Sequence, residues 1–144
     1  MTVFLPIELQ QTIIAQMEAA FPHEGGGFLI GEANGQTIQV KEIIAVNNVF
    51  PIEERHHRYA MTPLNWSEME DRADALGMSL VGYYHSHPNS PAVPSEFDRI
   101  HALPNFAYLI TAVMSGRATE QRVWFLKTDR SAFDEAALQV GSPA

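Results

Sequence analysis

The chain contains a series of short apolar runs whose lengths suit β-strands, and turn residues separate them. The predicted strands are GGGFLIGE (25–32), TIQVKEIIAV (37–46), the stretch at 79–86 within SLVGYYHSH, FAYLITAVM (106–114), RVWFLK (122–127) and AFDEAAL (132–138). Asn34-Gly35 predicts a hairpin between the first two runs. Ser115-Gly116 predicts a turn between FAYLITAVM and RVWFLK. A chain with this pattern must build its fold around a sheet.

Apolar residues at helical spacing predict helices at 6–20 and 62–76. Ser95 predicts the start of a third, short helix that ends before Pro104. The predicted buried faces consist of Ile7, Ile13, Ile14 and Met17 in the first helix and of Leu64, Met69, Ala73 and Leu76 in the second. Helices therefore alternate with the predicted strands along the chain.

This order predicts an α/β fold in which helices flank a mixed sheet. Residues 47–58 predict a loop, and 59–61 predict one more short strand. The 144 residues suit one domain, 1–144. A chain of that length buries a core without disulfides, and this one has no Cys to form them.

Charge and hydropathy narrow the classes of partner. The formal net charge is −8, and the nine basic residues form no run, which argues against nucleic acid as a partner. The chain has no run of 18 apolar residues, so no membrane span is predicted. The segment MTVFLPIELQQ lacks the pattern of a signal peptide. Together with the absence of Cys, these features predict a cytoplasmic protein with no membrane partner.

The stretch YYHSHPNSPAVPSEFD, residues 83–98, concentrates metal-coordinating side chains. His85 and His87 are two residues apart at the end of a predicted strand, so their side chains point to the same face. Three prolines stiffen the loop that follows, and Asp98 falls in the first turn of the next helix. Two imidazoles and one carboxylate leave a fourth tetrahedral position for water, which is typical of a catalytic zinc site.

Each of these features also has a purely structural interpretation. Histidines on a strand often lie in a core or at a surface, and Ser95 with Asp98 three residues later resembles a helix capping box. Hydrolysis at such a metal site also needs a base, for which Glu24, just before Gly25-Gly26-Gly27, is the candidate. Glu24 has a structural alternative as well, a turn residue before a sharp entry into the sheet.

Taken together, these residues resemble the JAMM/MPN+ (JAB domain) metalloproteases in their compact prokaryotic form. That family carries an upstream Glu, then H-[ST]-H-P, then S-x-x-D. This chain matches the pattern with Glu24, His85-Ser86-His87-Pro88, Ser95 and Asp98, and seven residues separate His87 from Ser95. The segments FPHEGGGFLIG, AMTPLNW and LVGYYHSHP also lie where the family has them, so the resemblance covers nearly the whole chain.

The resemblance implies a fold, a cofactor and a role for each residue. The fold would be a cytidine-deaminase-like α/β/α sandwich with a curved mixed sheet. His85, His87 and Asp98 would bind one zinc ion, and Glu24 would activate the zinc-bound water as base and then protonate the leaving amine. Ser95 would stabilise the oxyanion, and Ser86 would support the site.

The resemblance also implies a substrate class. Members cleave peptide or isopeptide bonds after the C-terminal Gly-Gly of ubiquitin-like proteins, and compact members are associated with ubiquitin-like sulfur carriers. The expected partner is therefore a small β-grasp protein with a Gly-Gly tail. The identity of that protein stays open, as does the oligomeric state, a homodimer included.

Two other classes of function fit part of the pattern. A non-catalytic MPN-type scaffold that binds a ubiquitin-like protein would keep the fold but has no need of all five site residues. A two-His-one-carboxylate iron oxygenase would use the same ligands and leave Glu24 and Ser95 unexplained. His56 and His57 lie in a polar segment and are interpreted as surface residues that could still contact a substrate tail. His101, on the short third helix, is interpreted as structural. Trp66 and Trp124 suit packing roles, with a place near the groove as the alternative for either.

Overall fold

The computed structural model describes residues 1–46 and 63–141. Within these ranges the chain forms seven strands and three helices. The strands are β1 (Thr2–Leu5), β2 (Gly26–Asn34), β3 (Thr37–Val46), β4 (Ser79–Pro88), β5 (Ala107–Met114), β6 (Arg117–Leu126) and β7 (Phe133–Val140). The helices are α1 (Ile7–Ala20), α2 (Pro63–Ala75) and α3 (Glu96–His101).

The strands form one mixed sheet that closes on itself in the order β1-β3-β2-β4-β5-β6-β7. β1 closes it by pairing in parallel with β3 on one side and β7 on the other. β4 and β5 are also parallel, and the other neighbours are antiparallel. The predicted mixed α/β fold is confirmed, and the predicted hairpin at Asn34 is present, with Gly35 at φ +64°. The sequence did not predict the closure, and the cytidine-deaminase-like sandwich stays a prediction.

β2 and β4 are neighbours in the sheet, and residues 26–31 of β2 and 81–87 of β4 are buried on both faces. Leu29 and Tyr84 belong to a cluster that α1 covers with Ile13 and Met17. The alternate residues Phe28 and Tyr83 belong to a second cluster, where Met69 of α2 packs. This double burial explains why the sequence of β4 is apolar without alternation. This packing on both faces also holds in place the part of β4 that precedes the histidines.

Two residues of the predicted helix faces are in fact exposed. Ile7 is 43% exposed and Leu76 is 54% exposed, whereas Ile13, Met17, Met69 and Ala73 are buried. Ile7 is the first residue of α1, and Leu76 lies just past the end of α2, so the apolar spacing extends beyond the part of each helix that packs. The predicted loop at 47–58, the strand at 59–61 and the side chain of Leu64 lie outside the described residues.

Among the described residues, none of the helices combines the length and apolar character that a membrane span requires.

The burial difference along α2 gives a matched test. Met69→Ala removes a side chain packed against Phe28 and Tyr83, and we expect it to lower the free energy of unfolding by about 2–3 kcal/mol. Leu76→Ala removes an exposed side chain and should change it by about 0.5 kcal/mol or less. Urea denaturation of the two variants measures both values, and equal losses would contradict the burial described here.

Candidate metal centre

The end of β4 presents two histidines to the same site. His85 is fully buried and His87 is 6% exposed. His85 pairs with Gly26 of β2 and with Ile110 of β5, and His87 pairs with Ala112 of β5. β5 thus holds the backbone of both histidines, and β2 also holds that of His85, so the strand fixes where the two imidazoles start. Their shared face follows from the alternation of side chains along a strand.

Asp98 reaches the histidines through the start of α3. The backbone N–H of Asp98 donates to Ser95 Oγ at 3.1 Å, and the backbone N–H of Ser95 donates to Asp98 Oδ2 at 2.9 Å. These reciprocal bonds form a capping box. The structural interpretation of Ser95 and Asp98 is thus correct, and it is compatible with the metal-site one, since the cap fixes the carboxylate while the carboxylate faces the histidines.

The three candidate ligands converge on one point. His85 Nε2 lies 3.2 Å from His87 Nε2 and 3.3 Å from Asp98 Oδ1, and His87 Nε2 lies 3.0 Å from Asp98 Oδ2. Ligand atoms about 2.0–2.1 Å from a zinc ion at tetrahedral angles are about 3.3 Å apart. The two distances to Asp98 run to different oxygens of its carboxylate, and one ligand atom from each of the three residues lies within 4.8 Å of the others. Among the described residues, these three form the group that could hold a metal ion.

The protonation states also suit a cation. His87 Nδ1 lies 2.9 Å from the carbonyl oxygen of Pro91, which can only accept a hydrogen bond, so Nδ1 carries a proton and Nε2 faces Asp98. Burial lowers the pKa of His85, which favours its neutral form. Burial raises the pKa of Asp98, but its interactions with the two histidines lower that pKa by more, so Asp98 is ionised. The Nε2 atoms of both histidines thus face an anionic carboxylate, an arrangement that a cation between them would stabilise.

Glu24 and Ser95 line the same cleft beside these ligands. The cleft holds about 230 Å³, and its walls come from Glu24, His87, Pro88, Ser90, Pro91, Val93 and Ser95. Glu24 is 8% exposed, although it lies 61 residues before His85 in the chain. Periodicity alone gave no reason to bring Glu24 here. The entry of β2 beside β4 brings it into the cleft.

Glycines make this approach of β2 to β4 feasible. A Cβ atom at Gly26 would lie 2.4 Å from Tyr83 Oη. A Cβ atom at Gly27 would lie 2.4 Å from the ring of Tyr84 and 2.5 Å from the carbonyl oxygen of Ile44. Any larger residue would push the strands apart. The glycine run after Glu24 therefore has a packing reason.

Two residues of β6, Trp124 and Glu120, support the loop that follows the histidines. The sequence did not predict this support. Trp124 Nε1 donates to the carbonyl oxygen of Ala92 at 3.0 Å, and the N–H of Ala92 donates to Glu120 Oε1 at 3.2 Å. Ala92 is fully buried and directly follows Pro91, whose carbonyl orients His87. Trp124 and Glu120 lie about 30 residues away along the chain, so no local pattern reveals this support.

His101 and Trp66 make contacts outside the cleft. His101 Nδ1 bonds to the carbonyl oxygen of Phe97 within α3, and its ring stacks on that of Phe97 at 4.2 Å. Trp66 packs against Phe28 and Phe106. His101 thus makes structural contacts within its own helix, and Trp66 has the predicted packing role. His56 and His57 lie outside the described residues.

Comparison with known proteins agrees with this geometry. Residues 6–127 match the family described as prokaryotic homologs of the JAB domain. The chain belongs to this family. The matched segment contains all five residues singled out by sequence, from Glu24 to Asp98.

Two relatives of this JAB domain have functional names. The desampylase of Haloferax volcanii is 34% identical over 99 residues, which cover 68% of each chain. A protein of Thermus thermophilus, named a probable TtuB-protein conjugate cleaving protease, is 29% identical over 118 residues, which cover 82% of this chain and 75% of that one.

A solved structure shares the fold. The JAB1/MPN domain protein of Archaeoglobus fulgidus superimposes with a TM-score of 0.58 at 21% identity, over 99% of this chain and 100% of that chain. The mixed sheet with its flanking helices is therefore the fold of a JAB/MPN domain.

The contact behind His87 gives a prediction on metal affinity. Trp124→Phe keeps an aromatic ring but removes the N–H that holds Ala92, so the Pro91 carbonyl is less fixed. Partners that orient metal ligands typically account for 10- to 100-fold in affinity, and we expect about 10-fold weaker zinc binding. Competition with a chromophoric chelator measures this affinity.

Trp66→Phe provides the matched control, because Trp66 packs in the cluster that contains Phe28 and Tyr83 and, within the described part of the chain, makes no hydrogen bond to the loop after His87. Its zinc affinity should equal that of the wild type. Equal affinities for both variants would show that β6 does not support the ligands.

Proposed function

We propose that this JAB domain is a metal-dependent isopeptidase that cleaves a ubiquitin-like or sulfur-carrier protein after its C-terminal Gly-Gly, with one zinc ion as cofactor. The observation that carries the proposal is the convergence of His85, His87 and Asp98 at 3.0–3.3 Å beside a cleft lined by Glu24 and Ser95. A scaffold without activity has no need of this arrangement. An iron oxygenase would have no use for Glu24 and Ser95.

The names of the relatives support the proposed substrate class. One is named as a desampylase and the other as a protease that cleaves protein conjugates. Both names fit the cleavage of a bond that joins a small protein to another molecule. A small β-grasp partner with a Gly-Gly tail is the substrate that this activity and the family resemblance suggest.

The donor set favours zinc as the ion. Two imidazole nitrogens and one carboxylate oxygen suit zinc, and they leave one position of a tetrahedron open. A zinc ion held there would supply Lewis acidity, polarising the scissile carbonyl and making water acidic near neutral pH.

Glu24 is proposed as the general base and acid. Its side chain is almost fully buried and lines the cleft beside His87. A carboxylate there accepts the proton of the attacking water and then transfers it to the departing amine. Cleavage of an isopeptide bond requires this second step, because the lysine amine leaves poorly unless it is protonated.

Ser95 is proposed as the hydrogen-bond donor to the developing oxyanion. Its Oγ already accepts the N–H of Asp98, and a hydroxyl that accepts one bond still has its own proton to donate. The capping box thus orients the hydroxyl at the cleft before substrate arrives. Such a donor is most effective when it is fixed in advance.

The cleft leaves room for a polypeptide to continue past the site. A neighbouring cleft of about 290 Å³ shares Val93 and Ser95 with the first one and extends to Trp124 and Phe133. An extended tail therefore has a surface to follow beside the proposed metal. A Gly-Gly sequence would add no side chains beside the proposed metal.

Replacement of Glu24 tests the chemistry directly. Glu24→Gln keeps the size of the side chain but removes the base, so cleavage of a β-grasp protein extended beyond, or conjugated through, its Gly-Gly terminus should fall by at least about 10²-fold. Zinc content should stay at one ion per chain. Mass spectrometry of the carrier and metal analysis of the enzyme measure the two quantities.

Chelation provides the complementary control. Treatment of the wild type with a chelator should abolish cleavage, and added zinc should restore it. Cleavage that survives in Glu24→Gln, or in the wild type without metal, would contradict the proposed function.

Replacement of Ser95 separates capping from catalysis. Ser95→Gly removes the hydroxyl, but glycine is a tolerated N-cap, so stability should fall by only a few tenths of a kcal/mol. Turnover should nevertheless fall by about 10²–10³-fold, the usual effect of losing one oxyanion donor. Ser95→Thr keeps the hydroxyl and should retain most activity. Steady-state kinetics and thermal unfolding of both variants check this, and full activity in Ser95→Gly would remove Ser95 from the mechanism.

A further inference from the structure

We propose that Ser86 is a positioning residue for Glu24, which its side chain holds in place by fixing the backbone of Gly25. This inference rests on the proposed function and extends it to a residue that is neither a candidate ligand nor in the cleft wall. Ser86 lies between the two histidines of β4 and is 1% exposed. By alternation, its side chain points away from theirs.

Two hydrogen bonds join Ser86 to the residue after Glu24. The N–H of Gly25 donates to Ser86 Oγ at 2.9 Å, and the N–H of Ser86 donates to the carbonyl oxygen of Gly25 at 3.1 Å. Both backbone polar groups of Gly25 are therefore bound to one residue. Glu24 is attached directly to this fixed point.

The side-chain bond replaces a bond of the β-ladder. β2 and β4 pair from Gly26 opposite His85 onward, so the next pair would be Gly25 opposite Ser86. At this step the N–H of Gly25 bonds to the hydroxyl instead of a strand carbonyl. Ser86 thus holds the chain just before β2 begins to pair with β4. This is the point next to Glu24, the residue that lines the cleft.

The candidate ligands have separate supports. Strand pairing holds His85, the Pro91 carbonyl orients His87, and the capping box fixes Asp98. Loss of the Ser86 hydroxyl should therefore displace Glu24 and leave the metal affinity unchanged. A displacement of about 1 Å in a reacting group can cost about 10²-fold in rate.

The experiment compares Ser86→Ala, Ser86→Thr and, as a control on the same strand, Ser79→Ala. Ser86→Ala should bind zinc like the wild type, with kcat for carrier cleavage reduced about 10- to 100-fold and KM within about 3-fold. Ser86→Thr keeps the acceptor and should restore kcat. Ser79→Ala, at the opposite end of β4, should match the wild type.

A second measurement does not depend on activity. When zinc is added to the metal-free wild type, the carboxyl ¹³C resonance of Glu24, assigned through Glu24→Gln, should shift. Ser86→Ala should lose most of that shift and the slow hydrogen exchange of the Gly25 amide, and Ser86→Thr should regain both.

The outcomes separate the two proposals. If the wild type binds zinc but cleaves no carrier while the Glu24 and Gly25 signals respond to Ser86→Ala as described, the proposed function fails and the positioning role stands. The same holds if the wild type binds no zinc while the exchange of the Gly25 amide responds to Ser86→Ala and Ser86→Thr as described. If Ser86→Ala keeps the rate and both signals of the wild type, or loses zinc, the positioning role is overturned and the proposed function stands. Failure of Ser86→Thr to restore kcat and both signals also overturns it.

Discussion

The paired hydrogen bonds between Ser95 and Asp98 are the constraint on which the rest of the site depends. They start α3, and they also aim the carboxylate of Asp98 at two buried imidazoles. A helix cap is ordinarily a matter of stability of about 1 kcal/mol. Here the same two bonds fix a candidate metal ligand and orient a hydroxyl at the cleft. Stability and chemistry are consequently difficult to separate at Ser95, and the glycine variant separates them only because glycine is itself a tolerated cap.

The site is assembled from four segments that are far apart in the chain. β4 supplies the histidines, the entry to β2 supplies Glu24, the start of α3 supplies Ser95 and Asp98, and β6 supports the loop before α3 through Trp124 and Glu120. The central strands are buried on both faces, so each segment meets a rigid neighbour. The side chains are thus held by backbone contacts as much as by each other, which is the condition for a preorganised site.

Local chemistry made much of this predictable, and long-range contacts account for the remainder. His85 and His87 were predicted to share a face because the period of a strand is two, and the structure brings them to Asp98 as the spacing suggested. β1 was missed because four residues before a proline carry little pattern, and the closure of the sheet was missed with it. Burial of Ile7 and Leu76 is predicted from their apolar spacing, but the structure exposes both. The spacing does not show where along a helix the packing stops. The support from Trp124 depends on a contact across 32 residues, which no local window contains.

The position of β1 has a consequence for how the molecule is made. The first strand joins the last one, with Thr2 opposite Ala137 and Leu5 opposite Val140. A ribosome releases β1 well before β7, so β1 can pair with its second neighbour only after the intervening strands have emerged. Contacts between such distant parts of a chain form slowly. Closure of the sheet is therefore expected to be the last step of folding, after β4, which carries both histidines, has paired with β2 and β5.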